Sequence, residues 1–346
     1  MDPHEHHRPG AAKPTYAHHD GTGHRGSIRM SITPQQPIGT GFSAASTADE
    51  VLDGVDLTGR TAIVTGGYSG IGIETVRSLR NAGADVIVPA RDKTRAAKAI
   101  GDIDGVEFAE LDLADPLSID AFAEAFAASG RALHMLVNSA GIMAVPLHRD
   151  DRGYESHFAT NHLGHFQLTA RLWPALIRAG GARIAVVSSW GHRQSDIVWD
   201  DVHFERREYQ PMLGYGQSKT ANNLFAVELD RRGRSQGVRA FALHPGSIIT
   251  PLARHTSTEA LMKMGVIDEN GEPVIDPSRN MKTPQQGAAT SVLCAASPLL
   301  DGLGGVYCEN GDIAPFVEAD ETTDTARRSA SCAKSARSPT VSCRTR

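Results

Sequence analysis

The chain has no run of about 18 consecutive apolar residues, the length a membrane-spanning helix needs, so stable membrane insertion is not expected. Its start, MDPHEHHRPG, has none of the apolar stretch of a secretory leader. Cysteine is scarce: Cys294, Cys308, Cys332 and Cys343 form neither a Cys-x-x-Cys pair nor a metal-ligand spacing. A disulfide framework is therefore not expected, and a reduced, cytoplasmic setting is. Nor is there an excess of positive charge. The net charge is −5, yet residues 326–346 hold six Arg or Lys and no acid, so the body is more acidic than the whole. That argues against nucleic acid as a partner.

What is present describes an ordinary globular chain: 346 residues, 40% hydrophobic and 22% charged, enough for a sizeable core. Residues 1–45 are expected to be a structureless extension. The first 29 of them are rich in His, Gly and Pro, without periodicity, and read as an upstream extension ahead of Met30. From residue 60 short apolar runs alternate with segments of helical period. RTAIVT, ADVIVPA, VEFAEL, LHMLVN, ARIAVVS and VRAFALH read as six buried strands. Stretches such as IGIETVRSLRNAG and DPLSIDAFAEAFAAS read as helices stopped by Gly83 and Gly130. Near-continuous apolar strands alternating with helices predict an α/β domain: one Rossmann-type, doubly wound parallel sheet with helices on both faces, over residues 55–318. Pro89 is expected at the end of the second strand, where a missing N–H does least harm. Residues 247–285, partly apolar and aperiodic after the last strong strand, are expected to form a substrate lid.

Two features carry chemistry. The first strand runs into TGGYSGIG, in which Gly66, Gly70 and Gly72 precede a helix. Glycines there allow a tight turn and close backbone approach to a pyrophosphate, and a helix N-terminus favours its negative charge. The other is LGYGQSKTANN: of six tyrosines, only Tyr215 has a lysine four residues on. At i,i+4 on a helix Lys219 can approach the phenol, and a fixed positive charge there favours the phenolate, one route to a general base. On a solvated face the same pair would mean nothing.

These motifs occur in order with LDL at 111–113, NSAG at 138–141, NHLGHFQLT at 161–169, VVSS at 186–189 and HPGSIIT at 244–250. Together they make the chain resemble the short-chain dehydrogenase/reductases over roughly residues 55–318, and most of all the branch of retinol dehydrogenases and WW-domain oxidoreductases. The resemblance implies a catalytic set of Asn161, Ser189, Tyr215 and Lys219. Of Ser188 and Ser189, which must face opposite ways on a strand, it selects Ser189. In that pattern Ser189 bonds the substrate oxygen and Tyr215 exchanges its proton. Lys219 lowers the tyrosine pKa and holds the nicotinamide ribose, while Asn161 holds a relay water. It also implies a cofactor lying along Gly66, Tyr68, Ser69, Gly70, Ile71 and Gly72. Asp112 and Leu113 would flank the adenine, Asn138, Ala140 and Gly141 would line the cofactor, and Pro245, Gly246, Ile248 and Thr250 would shape the nicotinamide wall. Ser139 departs mildly from the commoner family motif, with little consequence expected.

The second strand ends in Ala90–Arg91 and not in an acid that would grip a ribose 2′-hydroxyl. A guanidinium suits a 2′-phosphate, so NADP(H) is favoured, with NAD(H) the alternative if Arg91 is merely solvated. Asp92 reads as a residue of the next helix start. Trp190, Trp199 and Phe204, in the loop before Tyr215, either line a pocket for a bulky apolar substrate or, for Trp199, pack the loop down. His192 and His203 lack a zinc-like spacing, and no metal is expected.

Residues 322–346 turn to Ser, Arg and Cys and read as an irregular basic tail; a changed reading frame would account for it, with the loss of a covering helix. The function expected is an NADP(H)-dependent oxidoreductase interconverting an alcohol and its carbonyl, the substrate lipophilic, the chain compatible with a homo-oligomer. A non-catalytic NADP(H)-binding redox sensor is the alternative, although it would not need both Tyr215 and Lys219. A sugar-nucleotide epimerase or dehydratase would need a larger C-terminal domain than the chain after Pro245 provides.

Overall fold

The structure is a computed structural model and describes residues 32–316. In chain order its elements are α1 (Ala48–Val51), β1 (Thr61–Thr65), α2 (Ile71–Asn81), β2 (Asp85–Ala90), α3 (Lys93–Ile100), β3 (Val106–Glu110), α4 (Pro116–Ala128) and β4 (Met135–Asn138). A π-helical turn (Phe158–Leu163) leads into α5 (Gly164–Arg178), followed by β5 (Ala182–Val187), α6 (Pro211–Gly233) and β6 (Val238–His244). The last elements are α7 (Thr258–Lys263), α8 (Pro284–Ala296), β7 (Val306–Glu309) and β8 (Asp312–Ile313).

The sheet order is β3-β2-β1-β4-β5-β6-β7-β8, parallel throughout except for β8, which pairs antiparallel with β7. Side-chain alternation along each strand feeds two cores. Ala62, Val64, Val86, Val88, Val137 and Leu243 meet α1, α2 and α8 on one face. Ile63, Ile87, Leu136, Ile184 and Ala242 meet α4, α5 and α6 on the other. Both faces are dry, which explains why the strands read as continuous apolar runs. Each fully buried Leu or Ile adds about 1.5–3 kcal/mol of transfer free energy.

The chain builds outward from β1 to β2 and β3, then returns to place β4 on the other side of β1. The switch point therefore lies between β1 and β4, whose last residues, Thr65 and Asn138, are register partners. A crevice must open there at the carboxyl edge, because the connections leave in opposite directions. Pro89 sits where β2 has parted from β1, whose pairing stops at Ile87, and retains only β3 as a neighbour.

Three expectations need correction or division. Of the expected extension, residues 1–31 lie outside the described residues, but 32–45 are packed. Gln35 Nε2 donates to the Tyr307 and Ala314 carbonyls (2.8 and 2.7 Å), and Tyr307 N–H donates to Gln35 Oε1 (2.8 Å). Asp312 accepts the Ile38, Gly39 and Thr40 N–H groups. A polar, Gly/Pro-rich segment is held here by side-chain-to-backbone bonds, which leave no apolar period in the sequence. Next, β7 and β8 escaped the sequence reading: β7 is half-buried in alternation and so shows no continuous apolar run, and β8 has only two residues. Finally, the expected basic tail, 322–346, falls outside the described residues.

Between Ser247 and Lys282 the chain makes a loop closed at its neck: Ser247 N–H donates to Asn280 O (2.8 Å) and Lys282 N–H to Ser247 O (3.0 Å). It holds α7 and exposes Met262, Met264 and Ile275.

Candidate active site

The turn from β1 into α2 is built for close backbone approach. Gly66 adopts φ +68°, and a Cβ at Gly72 would run into the Gly66 carbonyl oxygen. Gly70 is the N-cap of α2 and, having no side chain, leaves the first N–H groups of an 11-residue helix without a side-chain cap. Such N–H groups, together with the helix dipole, favour a negative charge. Tyr68, Ser69 and Ile71 are half-buried along this turn. Thr250 lies over it, since a Cβ on Gly70 would touch the Thr250 side chain at 2.9 Å, and Ile248 meets Ile71 around Gly287.

Across the switch point, Asn138 is 1% exposed; its Nδ2 donates to Thr169 Oγ1 (3.2 Å) while Oδ1 has no partner. An orphaned buried acceptor beside the switch point has hydrogen-bonding capacity left over. The Ser139 and Ala140 N–H groups both donate to Thr65 Oγ1 (2.9 and 3.1 Å), which fixes the loop that carries Gly141. A Cβ on Gly141 would stand 3.2 Å from Asn161 Oδ1 and 3.9 Å from Lys219 Nζ. Asp112 folds its carboxylate back onto Ala114 N–H (2.9 Å) and Leu113 is buried beside it. Pro245 and Gly246 are half-buried after β6, with Gly246 at φ +112° against the Lys282 stem.

Ala90 is buried, whereas Arg91 is exposed and has no ion pair or hydrogen bond among the described residues. Asp92 does not compete for it: its carboxylate accepts Arg95 N–H (2.9 Å) as the N-cap of α3.

The four catalytic candidates converge from three elements. Asn161, wholly buried in the π-helical turn, exchanges bonds with the Ile142 backbone and donates to Ser218 Oγ at 3.0 Å. Ser218 Oγ in turn donates to the Tyr215 carbonyl (2.7 Å). Ser188 is turned away, donating to Lys219 O (3.0 Å), while Ser189 Oγ accepts the Gly191 N–H (3.0 Å) and lies beside Tyr215: a Cβ on Gly191 would stand 2.7 Å from the Tyr215 ring and 3.5 Å from Ser189 Oγ. Lys219 Nζ donates to Val187 O (2.9 Å) and stands 5.5 Å from the Tyr215 ring centre.

The electrostatics differ from the sequence expectation. Burial pushes the Tyr215 phenol above its ordinary value, and only the Ser189 hydrogen bond opposes it; Lys219 does not lower it. The lysine itself is depressed to about 8 by burial. Burial disfavours the phenolate, so Tyr215 holds its proton at neutral pH.

The three aromatic residues of the loop sit in different surroundings. Trp199 is 73% exposed, Phe204 is buried against Tyr209 and Arg207, and Trp190 donates to Glu309 (2.8 Å) while stacking on His244. A cavity of 320 Å³ lies on the α4–α5 face, lined by Leu113, Ile119, Tyr154, Phe166 and Gln167 among others, and no catalytic candidate borders it. Among the described residues no helix is long and apolar enough to cross a membrane.

Sequence reasoning passed over Thr65, Ser218 and His165. Only the last left a signal, a histidine four residues after Asn161.

The family model described as short chain dehydrogenase matches residues 60–260. A probable oxidoreductase of Streptomyces antibioticus is 46% identical over 274 residues, 77% of this chain and 90% of that one. The human WW domain-containing oxidoreductase is 40% identical, covering 78% of this chain and 66% of its own length. Human retinol dehydrogenase 12 is 36% identical, over 78% and 84% respectively. A solved structure from Mycobacterium paratuberculosis, itself uncharacterised, aligns with TM-score 0.60 at 31% identity over 84% of this chain and 93% of that one. The chain therefore belongs to the short-chain dehydrogenase family, whose members are NAD(P)-dependent oxidoreductases.

Proposed function

We propose that the protein is an NADP(H)-dependent oxidoreductase that interconverts a lipophilic carbonyl compound and its alcohol. The observation that carries this reading is the gathering of Ser189, Tyr215 and Lys219 at the carboxyl edge of the sheet, with Ser189 Oγ beside the Tyr215 ring across Gly191 and Lys219 Nζ 5.5 Å from that ring's centre. Bound nicotinamide supplies the hydride. Tyr215 gives its phenolic proton to the carbonyl oxygen, and its raised pKa suits that donor role. Ser189 orients the same oxygen. Asn161 holds the Ile142 backbone and so the wall of the pocket. Gly66, Tyr68, Ser69, Gly70, Ile71 and Gly72 would hold the pyrophosphate end. Asp112 and Leu113 would flank the adenine, and Asn138, Ala140, Gly141, Pro245, Gly246, Ile248 and Thr250 would enclose the nicotinamide end.

The NADP preference rests on Arg91, a cation with no other partner among the described residues at the end of β2. The lipophilic substrate rests on where exposed apolar side chains fall. Leu147, Trp199, Met262 and Met264 occur on the connections that leave the carboxyl ends of β4, β5 and β6, the edge that carries Tyr215.

NADPH and NADH are titrated separately by nicotinamide fluorescence, then a series of apolar aldehydes is assayed. Tyr215→Phe is expected to lower turnover about a hundredfold or more while NADPH binding stays within about twofold. Unchanged turnover would refute the proton-donor assignment. Arg91→Ala is expected to weaken NADPH about tenfold and leave NADH as it was. Equal loss of both would sink the 2′-phosphate role.

A further inference from the structure

His165 is the second residue of α5, 1% exposed, and both its ring nitrogens are engaged. Nδ1 lies 3.0 Å from the Asn161 carbonyl oxygen, and Nε2 lies 2.8 Å from Thr65 Oγ1. The chemistry fixes the tautomer. A carbonyl can only accept, so Nδ1 carries the proton, and Nε2 must then accept from the threonine hydroxyl. That hydroxyl is free to donate its single hydrogen there because its lone pairs already take the Ser139 and Ala140 N–H groups. Its other acceptor, Val137 O, is farther away at 3.3 Å.

The carbonyl belongs to the π-helical turn. Gly164 N–H reaches back five residues to Ala159 O, so the backbone donors are displaced by one residue as α5 begins. The same turn aims the Asn161 side chain at Ile142 and Ser218. Burial, together with the nearby Lys219 and His162, holds His165 down at about 4, so it stays neutral.

We propose that His165 is a positioning residue that couples the nucleotide-binding edge, through Thr65 and the Ser139–Ala140 loop, to the catalytic Asn161. A displacement of that loop on cofactor binding is transmitted through one rigid ring to the Asn161 backbone. The proposal rests on the dehydrogenase reading of the site.

Three variants separate the two halves of the clamp. His165→Leu keeps a similar volume and loses both bonds; His165→Asn places an amide N–H where Nδ1 was; His165→Gln reaches toward Thr65 instead. NADPH affinity and kcat with octanal are measured for each, with thermal melting as a check on folding. The Leu variant is expected to lose roughly tenfold in both quantities, since it makes neither bond and leaves Thr65 and Asn161 without their shared ring. The Asn variant should recover kcat but not NADPH affinity, and the Gln variant NADPH affinity but not kcat. A merely structural histidine would give Asn and Gln the same profile, and that result, or a Leu variant identical to wild type, overturns the coupling. If the Leu variant fails to fold, the contrast between Asn and Gln decides alone. Were Tyr215→Phe to keep full turnover, the dehydrogenase reading would fall. The NADPH affinities would then decide: loss in Leu and Asn restored in Gln upholds the coupling, and equal affinities overturn it.

Discussion

Two buried lysines give the protein a stability that depends on alkaline pH. Lys219 and Lys282 are 4% and 2% exposed, and desolvation brings both to about 8 from the 10.5 of a free lysine. Between those values the unfolded chain binds more protons than the folded one, so stability contributed by these sites rises as pH climbs through that window. Below pH 8 the burial penalty is present in full. Lys282→Met removes its share, so wild type should gain on this variant by up to about 3 kcal/mol between pH 7.5 and pH 10. Urea midpoints at the two pH values measure it, and a constant gap would mean that Lys282 titrates in the fold as it does in the unfolded chain. Residues of this kind were unequally legible. Tyr215 and Lys219 announce themselves because both lie on one helix at i,i+4, whereas the phenol's direction of shift depends on burial that no spacing reveals. His165 was hidden for a related reason: one of its partners is a backbone carbonyl and the other is 100 residues away.

Elements were read well where apolar period is strong and poorly where polar bonds do the holding. All six long strands came out of the alternation between the two cores. The Ser247–Lys282 loop did not, because its neck is closed by backbone bonds and its interior by turns around Asp268 and Asp276. Immediately after that neck, Thr283 and Gln286 form a reciprocal capping box at the start of α8. The helix is buried along most of its length against the sheet, so its entry angle sets where the loop returns. Thr283→Ala is expected to cost about 1 kcal/mol, seen as a lower denaturation midpoint. If α8 instead anchors itself by packing alone, the midpoint will not move.

For the whole molecule, the sheet's weak point is its last edge. β7 pairs with only the two residues of β8 beyond it, and Gln35 supplies the missing partner by presenting its amide to both Tyr307 and Ala314. Removing residues 32–46 should lower the melting temperature by several degrees and promote aggregation through the uncovered edge. Light scattering alongside the melt distinguishes this from simple loss of packing; unchanged values for both would contradict it. The same seam has a consequence in time. Gln35 and Ala314 are 279 residues apart, so at roughly 5–20 residues per second the earlier one waits on the order of half a minute for its partner to be synthesised. During that interval β1, α2 and β4, which flank the switch point, are already synthesised. Closure of the seam thus comes late in synthesis, and a nascent chain stalled before β7 would lack the edge that completes the sheet.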